Sequence, residues 1–321
     1  MRFVVFGAGA IGGVVGARLH QADEEVLLIA RGAHYEAIAS GGLRLETPEE
    51  NVVLEIPVVE DPLAISWRED DVVLLATKTQ DTAGALGALA EVAPQAVPVV
   101  CVQNGVENER IALRLFTYVY GAIVMAPTAH LDPGVVQAYS TPLSGAIDIG
   151  CYPAGLDATA VEVTAALSGA RFSSRPRSRI MRWKYAKLLM NLGNVVQALF
   201  GPDADDEGLD SRAREEGRAC LRAAGIDFAS DEEDSERRRD LLHLGEIAGR
   251  ERAGGSTWQS FARGTSSIET DYLNGEIVLL GRLHDVPTPV NELLCRLARQ
   301  ALREGARPGD LAPEQALAQL R

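Results

Sequence analysis

Short, β-branched apolar runs alternate with stretches of helical apolar spacing through the first half of the chain. Residues 3–6, 25–30, 71–76 and 97–102 are predicted to be strands, and residues 43–46, 52–58, 121–125 and 145–149 are further strand candidates. Val72-Val73-Leu74-Leu75 is apolar at every position, which fits a parallel strand buried on both faces by helices. Beyond Arg171 this alternation stops. Helical patterns then occupy residues 180–200, 211–224, 237–252, 267–283 and 289–304, so the second half is expected to be all-helical. The polar, proline-bearing stretch 173–179 is the best boundary, giving domains 1–173 and 174–321. The acidic patches at 203–210 and 231–236 read as solvated loops or helix starts, and the tail from Arg307 as fraying.

Gly7-Ala8-Gly9-Ala10-Ile11-Gly12 follows the first strand and opens a helical pattern, the context in which a GxGxxG motif carries weight. Gly7 allows a tight turn, Gly9 lets a pyrophosphate approach the backbone, and Gly12 permits close packing of the helix on the sheet. The helix start adds unpaired N–H groups and the positive end of its dipole. The fold class is therefore α/β, an N-terminal Rossmann-type dinucleotide-binding domain followed by an all-helical C-terminal domain. An NAD site would carry a carboxylate near the end of the second strand, but the sequence there reads Leu27-Leu28-Ile29-Ala30-Arg31-Gly32. A guanidinium at Arg31 can fork onto a 2′-phosphate, which favours NADP(H). Lys78 is a second cation at the carboxyl end of a strand, where open α/β sheets bind ligands. Asn104-Gly105, after the next strand, is either a plain turn or an amide facing the nicotinamide of the cofactor and the substrate, and from spacing alone it reads as a turn.

In the second half, residues 188–200 are apolar around most of the helix, so this helix is expected to be buried. At about 100° per residue, Trp183, Asn191 and Asn194 fall within about 40° of Lys187. Such a stripe needs partners, because buried amides and charges without them cost several kcal/mol. It faces either a polar network or a cleft, or it bonds a neighbouring backbone. Ser266-x-x-Glu269 fits a capping box, which taken alone explains Glu269. Ser256-Thr257 offers hydroxyls to a substrate or caps a turn.

Composition narrows the function classes. The 321 residues are 46% hydrophobic and 24% charged, and the formal net charge of −14 repels nucleic-acid backbones and anionic lipid. No apolar run reaches the roughly 20 residues of a membrane helix, and the N-terminus lacks the pattern of a secretory signal. Cys101, Cys151, Cys220 and Cys295 are widely spaced, pointing to reduced thiols in a cytoplasmic protein. His20, His34, His130, His243 and His284 show no ligand spacing, so no metal is expected, and they read as surface or core residues.

Taken in order, these features resemble the ketopantoate reductase family, the 2-dehydropantoate 2-reductases, over nearly the whole chain. The landmarks are Gly7 to Gly12, Arg31, Thr77-Lys78, Gln103-Asn104-Gly105, Lys187-Leu188-Leu189-Met190-Asn191, Glu269-Thr270-Asp271-Tyr272-Leu273-Asn274-Gly275 and Val286-Pro287-Thr288-Pro289-Val290-Asn291. The resemblance implies NADPH-dependent reduction of a 2-oxo acid, ketopantoate or a close analogue, in pantothenate biosynthesis, by a homodimer. It assigns Lys187 as general acid, Glu269 as the essential carboxylate, and Asn104 and Asn191 as substrate amides, with Asn194 and Thr257 at further substrate positions. Arg31 and Lys78 match the cofactor-phosphate side. Three positions depart from the family pattern: Val195 where the second helix amide falls, Thr257 where a serine is common, and Phe261 where an aspartate is usual. A β-hydroxyacid or 3-hydroxyacyl-type dehydrogenase, and an NADP-binding sensor without turnover, are the competing readings.

Overall fold

The computed structural model describes all residues except 202–203, 207, 240, 251–255, 263–267 and 321. The chain forms two units, Met1–Lys184 with Asp231–Arg252, and Tyr185–Ser230 with Ala253–Arg321. In the first unit the strands are β1 (Arg2–Phe6), β2 (Glu25–Ile29), β3 (Leu43–Glu46), β4 (Asn51–Leu54), β5 (Val58–Val59), β6 (Asp71–Leu75) and β7 (Val99–Cys101). They continue with β8 (Val119–Met125), β9 (Thr128–Ala129), β10 (Val135–Ala138), β11 (Ser140–Thr141), β12 (Gly145–Cys151), β13 (Phe172–Ser173) and β14 (His243–Leu244). The unit's helices are α1 (Ala10–Gln21), α2 (Gly32–Gly41), α3 (Thr82–Ala90), α4 (Asn108–Leu113) and α5 (Ala158–Gly169). After these come α6 (Ile180–Asn191), α7 (Asn194–Phe200), α8 (Leu209–Ala223), α9 (Asp231–Arg238), α10 (Ser256–Ala262), α11 (Asn274–Leu283), α12 (Pro289–Glu304) and α13 (Pro313–Ala318).

The main sheet runs β13-β12-β8-β7-β6-β1-β2-β5, parallel except where β12 pairs with β8. Its alternating side chains feed two cores. Phe3, Val5, Val72 and Leu74 pack with Val14, Val15 and Leu19 of α1 and Val163 and Leu167 of α5. Val4, Phe6, Val73 and Leu75 pack with Leu86 and Leu89 of α3 and Ala112 of α4. This two-sided burial is why residues 72–75 are apolar throughout. β1 lies between β2 and β6, so the strand order reverses at β1 and opens the crevice in which doubly wound sheets bind ligands.

In the second unit, α8, α11 and α12 pack together, and α7 packs on α10 and α12. The apolar stripe of α12 (Val290, Leu293, Leu294, Leu297, Ala298, Ala301) is buried at helical spacing.

Several elements differ from the sequence expectation. The strand expected over residues 52–58 is two, β4 and β5. The helix expected over 180–200 is interrupted at Leu192-Gly193, and the one over 267–283 is a 3₁₀ turn (Glu269–Tyr272) followed by α11. The helix expected over 237–252 is not found among its described residues beyond Arg238, where α9 ends, and β14 then pairs antiparallel with β11. Gly249, with φ of +74°, turns the chain beyond it, and Arg250 donates to Glu46 Oε2 at 2.8 Å and Asp132 Oδ2 at 2.8 Å. These bonds, with β14, keep residues 231–252 on the first unit. Strand structure therefore extends past Arg171, at β13 and β14.

The expected boundary near 173 differs from the packing. Arg177 N–H donates to Ile149 O at 2.7 Å and the Arg177 side chain to Asp148 Oδ2 at 3.0 Å, so the chain stays with the sheet through Lys184. The acidic patch 231–236 lies within α9, while Asp203 and Glu207 of the other patch fall outside the described residues. The tail beyond Arg307 contains α13. Among the described residues no helix is long and apolar enough to cross a membrane.

Candidate functional site

The glycine loop has the geometry its sequence calls for. Gly7 sits at φ +102°, and the N–H groups of Gly7 and Ala8 both donate to Ile29 O at 3.1 Å, which ties the loop to the end of β2. A side chain at Gly7 would meet Thr77 N at 2.9 Å, and one at Gly12 would overlap the Gly7 carbonyl oxygen. Gly13 and Gly16 are equally constrained, by Val136 at 2.6 Å and Leu28 at 2.7 Å, so the close contact of α1 extends beyond the motif.

Gly9, the residue that caps α1, is different. Among the described residues a Cβ there would approach only the His130 ring, at 4.0 Å. The loop is therefore closed against the sheet and open above Gly9. The first turn of α1 carries no acidic residue, so no carboxylate of its own competes for its N–H groups and dipole. These features fit a dinucleotide pyrophosphate, with Gly7, Ala8, Gly9, Ala10, Ile11 and Gly12 forming the cradle.

Arg31 is exposed and caps α2, the next helix after β2. At the same turn Gly32 N–H donates to Glu60 Oε1 at 3.1 Å, an acid that the sequence reading did not pick out. Lys78 is half-buried just past β6, at the start of a 3₁₀ turn.

Two histidines read only as surface or core residues flank the glycine loop. His34 Nδ1 accepts from Gly134 N–H at 2.9 Å, so its Nε2 carries the proton and donates to Ala8 O at 2.8 Å. The His34 and His130 ring centroids are 4.1 Å apart. Burial pushes the His34 pKa below the ordinary imidazole value, and its bond to Ala8 O opposes this only in part. As pH falls below about 6.5, the unfolded chain takes up a proton that native His34 resists, so stability declines toward the lowered native value. The melting temperature is expected to fall between pH 7 and 5, and the fall should be smaller in His34→Gln; equal slopes would exclude His34 as the source.

Asn104 lies in the turn after β7, half-buried, with Gly105 at φ +79°. The turn reading from spacing therefore holds. Asn104 O accepts from Asn108 Nδ2 at 2.9 Å and from Thr79 Oγ1 at 3.4 Å. The preceding Gln103 is buried, and its Nε2 donates to Thr77 O at 2.9 Å and Thr82 Oγ1 at 2.7 Å. Gln103 thus joins the turn to the end of β6.

In the second unit, Lys187 is half-buried on α6 and Asn191, at that helix's C-terminus, is 5% exposed. Among the described residues Asn191 Nδ2 has no hydrogen-bond partner, so it is a buried donor available to an acceptor on a ligand. The break at Leu192-Gly193 removes Asn194 from the single stripe expected from the sequence, and places it at the start of α7. Thr257 is buried on α10, which packs on α7. Trp183, the other member of the stripe, belongs to the first unit, where its ring meets the guanidiniums of Arg177 at 4.9 Å and Arg182 and Arg237 at 5.7 Å.

Glu269 is 6% exposed at the start of the 3₁₀ turn, whose N-cap, Ile268, provides no side-chain cap. Ser266, the other half of the expected capping box, lies outside the described residues, as does the Ser256 side chain. A buried amide network unassigned by sequence reasoning supports the helix break. Asn274 Nδ2 donates to Leu192 O at 3.1 Å and to Asn291 Oδ1 at 3.0 Å. Asn291 Nδ2 in turn donates to Glu216 Oε2 at 2.7 Å, and Glu216 accepts the backbone N–H groups of Val290 and Asn291 at the start of α12. The signal was asparagines at otherwise apolar helix positions, noted only as landmarks.

Comparison with known proteins matches both halves. The family described as "Ketopantoate reductase PanE/ApbA" matches residues 3–154, and its C-terminal counterpart matches residues 179–302. A 2-dehydropantoate 2-reductase of Pyrococcus horikoshii is 30% identical, covering 96% of this chain and 100% of that protein. A solved PanE/ApbA family ketopantoate reductase from Ralstonia eutropha JMP134 shares 29% identity at a TM-score of 0.78, over 95% of this chain and 99% of that one. D-mandelate dehydrogenase, solved with NADH and anilino(oxo)acetate, shares the fold at a TM-score of 0.79 and 23% identity, over 95% of this chain and 99% of its own.

Proposed function

The chain belongs to the ketopantoate reductase family, and from that premise we propose that it reduces 2-dehydropantoate, a 2-oxo acid, to pantoate with NADPH. The observation that carries this reading is that the chain has both an open glycine cradle on α1 and, on α6, a lysine four residues before a buried amide. When bound, NADPH supplies the hydride that adds to C2 of the oxo acid. The cradle from Gly7 to Gly12 holds the pyrophosphate, while Arg31 and Lys78 provide cations for the phosphate side. Lys187 donates a proton to the carbonyl oxygen as C2 is reduced, which completes the hydroxyl and stabilises the negative charge developing on oxygen. Glu269 orients Lys187 or bonds the product hydroxyl. Asn104, Asn191, Asn194 and Thr257 hold the substrate's polar groups. A sensor without turnover would have no use for Lys187.

A second reading keeps the reaction and changes the side chain of the oxo acid. Val195 and Phe261, at two of the positions that depart from the family pattern, are buried and apolar, which favours a larger apolar group. NADPH oxidation measured with ketopantoate, with branched and aromatic 2-oxo acids and with 3-oxo acids separates these readings. Turnover of ketopantoate supports the first, turnover of a bulkier 2-oxo acid alone supports the second, and turnover of 3-oxo acids alone overturns both.

Arg31 is the test of cofactor choice. A charge-assisted bond contributes about 1.5–3 kcal/mol, so Arg31→Glu should lower the NADPH-to-NADH ratio of kcat/KM about tenfold or more. A wild-type preference for NADH would remove the phosphate role.

A further inference from the structure

A charged pair lies in the interior of the first unit. Lys184, on the first turns of α6, and Glu109, on α4, have side chains 1% and 0% exposed, and Lys184 Nζ lies 2.5 Å from Glu109 Oε1. Burial pushes the Glu109 carboxyl up, and the neighbouring ammonium opposes that shift. The nearby Cys101 thiol is also buried and pushed well up, so it brings no charge to the pair.

The sheet makes room for this arrangement with two glycines paired across β8 and β12, Gly121 and Gly150. A side chain at Gly121 would press on Glu109 Oε1, Lys184 Cδ and Ile180 Cγ2, each at 3.3 Å, and one at Gly150 would overlap the Arg177 carbonyl oxygen. A buried ion pair with this much accommodation seldom adds net stability, since apolar residues of similar volume pack there at least as well. What distinguishes Lys184 is its second contact. Its ammonium donates to the backbone oxygen of Gln103 at 2.9 Å, directly before Asn104.

We propose that Lys184, neutralised by Glu109, is a positioning residue that presets the Asn104 amide by fixing the backbone of the Gln103-Asn104-Gly105 turn. The turn is held from both sides. Lys184 takes the carbonyl before Asn104, and Asn108 Nδ2 takes the carbonyl of Asn104 itself at 2.9 Å. Thr82 connects the two anchors, accepting from Gln103 Nε2 and donating to Asn108 Oδ1, each at 2.7 Å. The proposal rests on the functional reading in which Asn104 meets the substrate, and it adds a residue outside the set that touches substrate or cofactor.

The test replaces both charges together, Lys184→Met with Glu109→Leu, so that no unpaired charge is buried and only the hold on Gln103 O is lost. Displacing a reacting-site amide should lower kcat/KM for the 2-oxo acid about tenfold, with the NADPH Kd within about twofold because the glycine cradle is untouched. In an Asn104→Ala background the same double replacement should change kcat/KM by less than about twofold, because the group it positions is already gone. Should that variant not fold, Lys184→Arg retains the charge while altering the donor to Gln103 O, and a smaller defect in kcat/KM that also vanishes with Asn104→Ala is expected. Wild-type kinetics in the folded variant, or additivity with Asn104→Ala, would overturn the proposal alone. A wild-type protein that turns over no 2-oxo acid with either dinucleotide would overturn the functional reading, and this proposal with it.

Discussion

Lys187→Ala is expected to lower ketopantoate turnover at least about a hundredfold and leave NADPH affinity nearly unchanged. A positioned general acid contributes about 10²- to 10⁴-fold, and the ammonium adds electrostatic stabilisation of the oxygen it protonates. In the proposed reading the dinucleotide is held, by contrast, by the glycine loop, Arg31 and Lys78, none of which the substitution alters. Steady-state kinetics with a separate measurement of NADPH binding distinguish the two effects. A parallel fall in both would place Lys187 in binding, and turnover within about twofold of wild type would remove it from the chemistry. Lys187 is half-buried on α6, so truncation to Ala opens little core and a large loss of turnover cannot be assigned to unfolding.

The largest stability effect is expected at the start of the sheet. Arg2 and Asp71 face each other across β1 and β6, and the guanidinium donates to both carboxylate oxygens, at 2.6 and 2.7 Å. Arg2 also donates to Ser66 O at 2.9 Å, and Asp71 accepts the Arg68 N–H at 2.7 Å. Asp71 is 1% exposed and Arg2 7%. Asp71→Ala leaves a buried guanidinium without its counter-charge and should destabilise the protein by about 3–5 kcal/mol, measured by urea unfolding. Replacing both groups, Arg2→Met with Asp71→Leu, should recover most of that loss, because the penalty comes from the stranded charge. A loss below about 1 kcal/mol in Asp71→Ala would show that water reaches the pair.

The parts of this molecule that were legible in the sequence are those set by neighbours along the chain. The strand, glycine turn and helix at residues 2–21 are specified largely by near neighbours, because a side chain at Gly12 would overlap the Gly7 carbonyl oxygen and one at Gly16 would press on Leu28 of the following strand. The apolar run at residues 72–75 reports two-sided burial by composition alone. The features that escaped depend on partners far away in sequence. Helical periodicity continues through Leu192-Gly193, but Asn274 takes the Leu192 carbonyl from 82 positions away and the helix breaks there. Residues 237–252 read as helical until one knows that β11 presents an edge for β14 and that Glu46 and Asp132 receive Arg250. Lys184 carries no signal in the sequence, because its partners Glu109 and Gln103 lie 75 and 81 positions upstream. The histidines show no metal spacing in the sequence, whereas the structure sets the His34 ring beside His130 and has His34 brace the glycine loop through Ala8 O.

Because β14 and Arg250 return to the sheet-bearing unit, that unit is not one continuous stretch of polypeptide. During synthesis the nascent chain would have to extend past residue 250 before the Glu46 and Asp132 carboxylates met their guanidinium, by which time α6, α7 and α8 would already have been translated. Expression of residues 1–184 alone would therefore yield a sheet with β11 lacking its partner, and a minimal nucleotide-binding fragment needs residues 231–252 supplied as well, for instance by circular permutation.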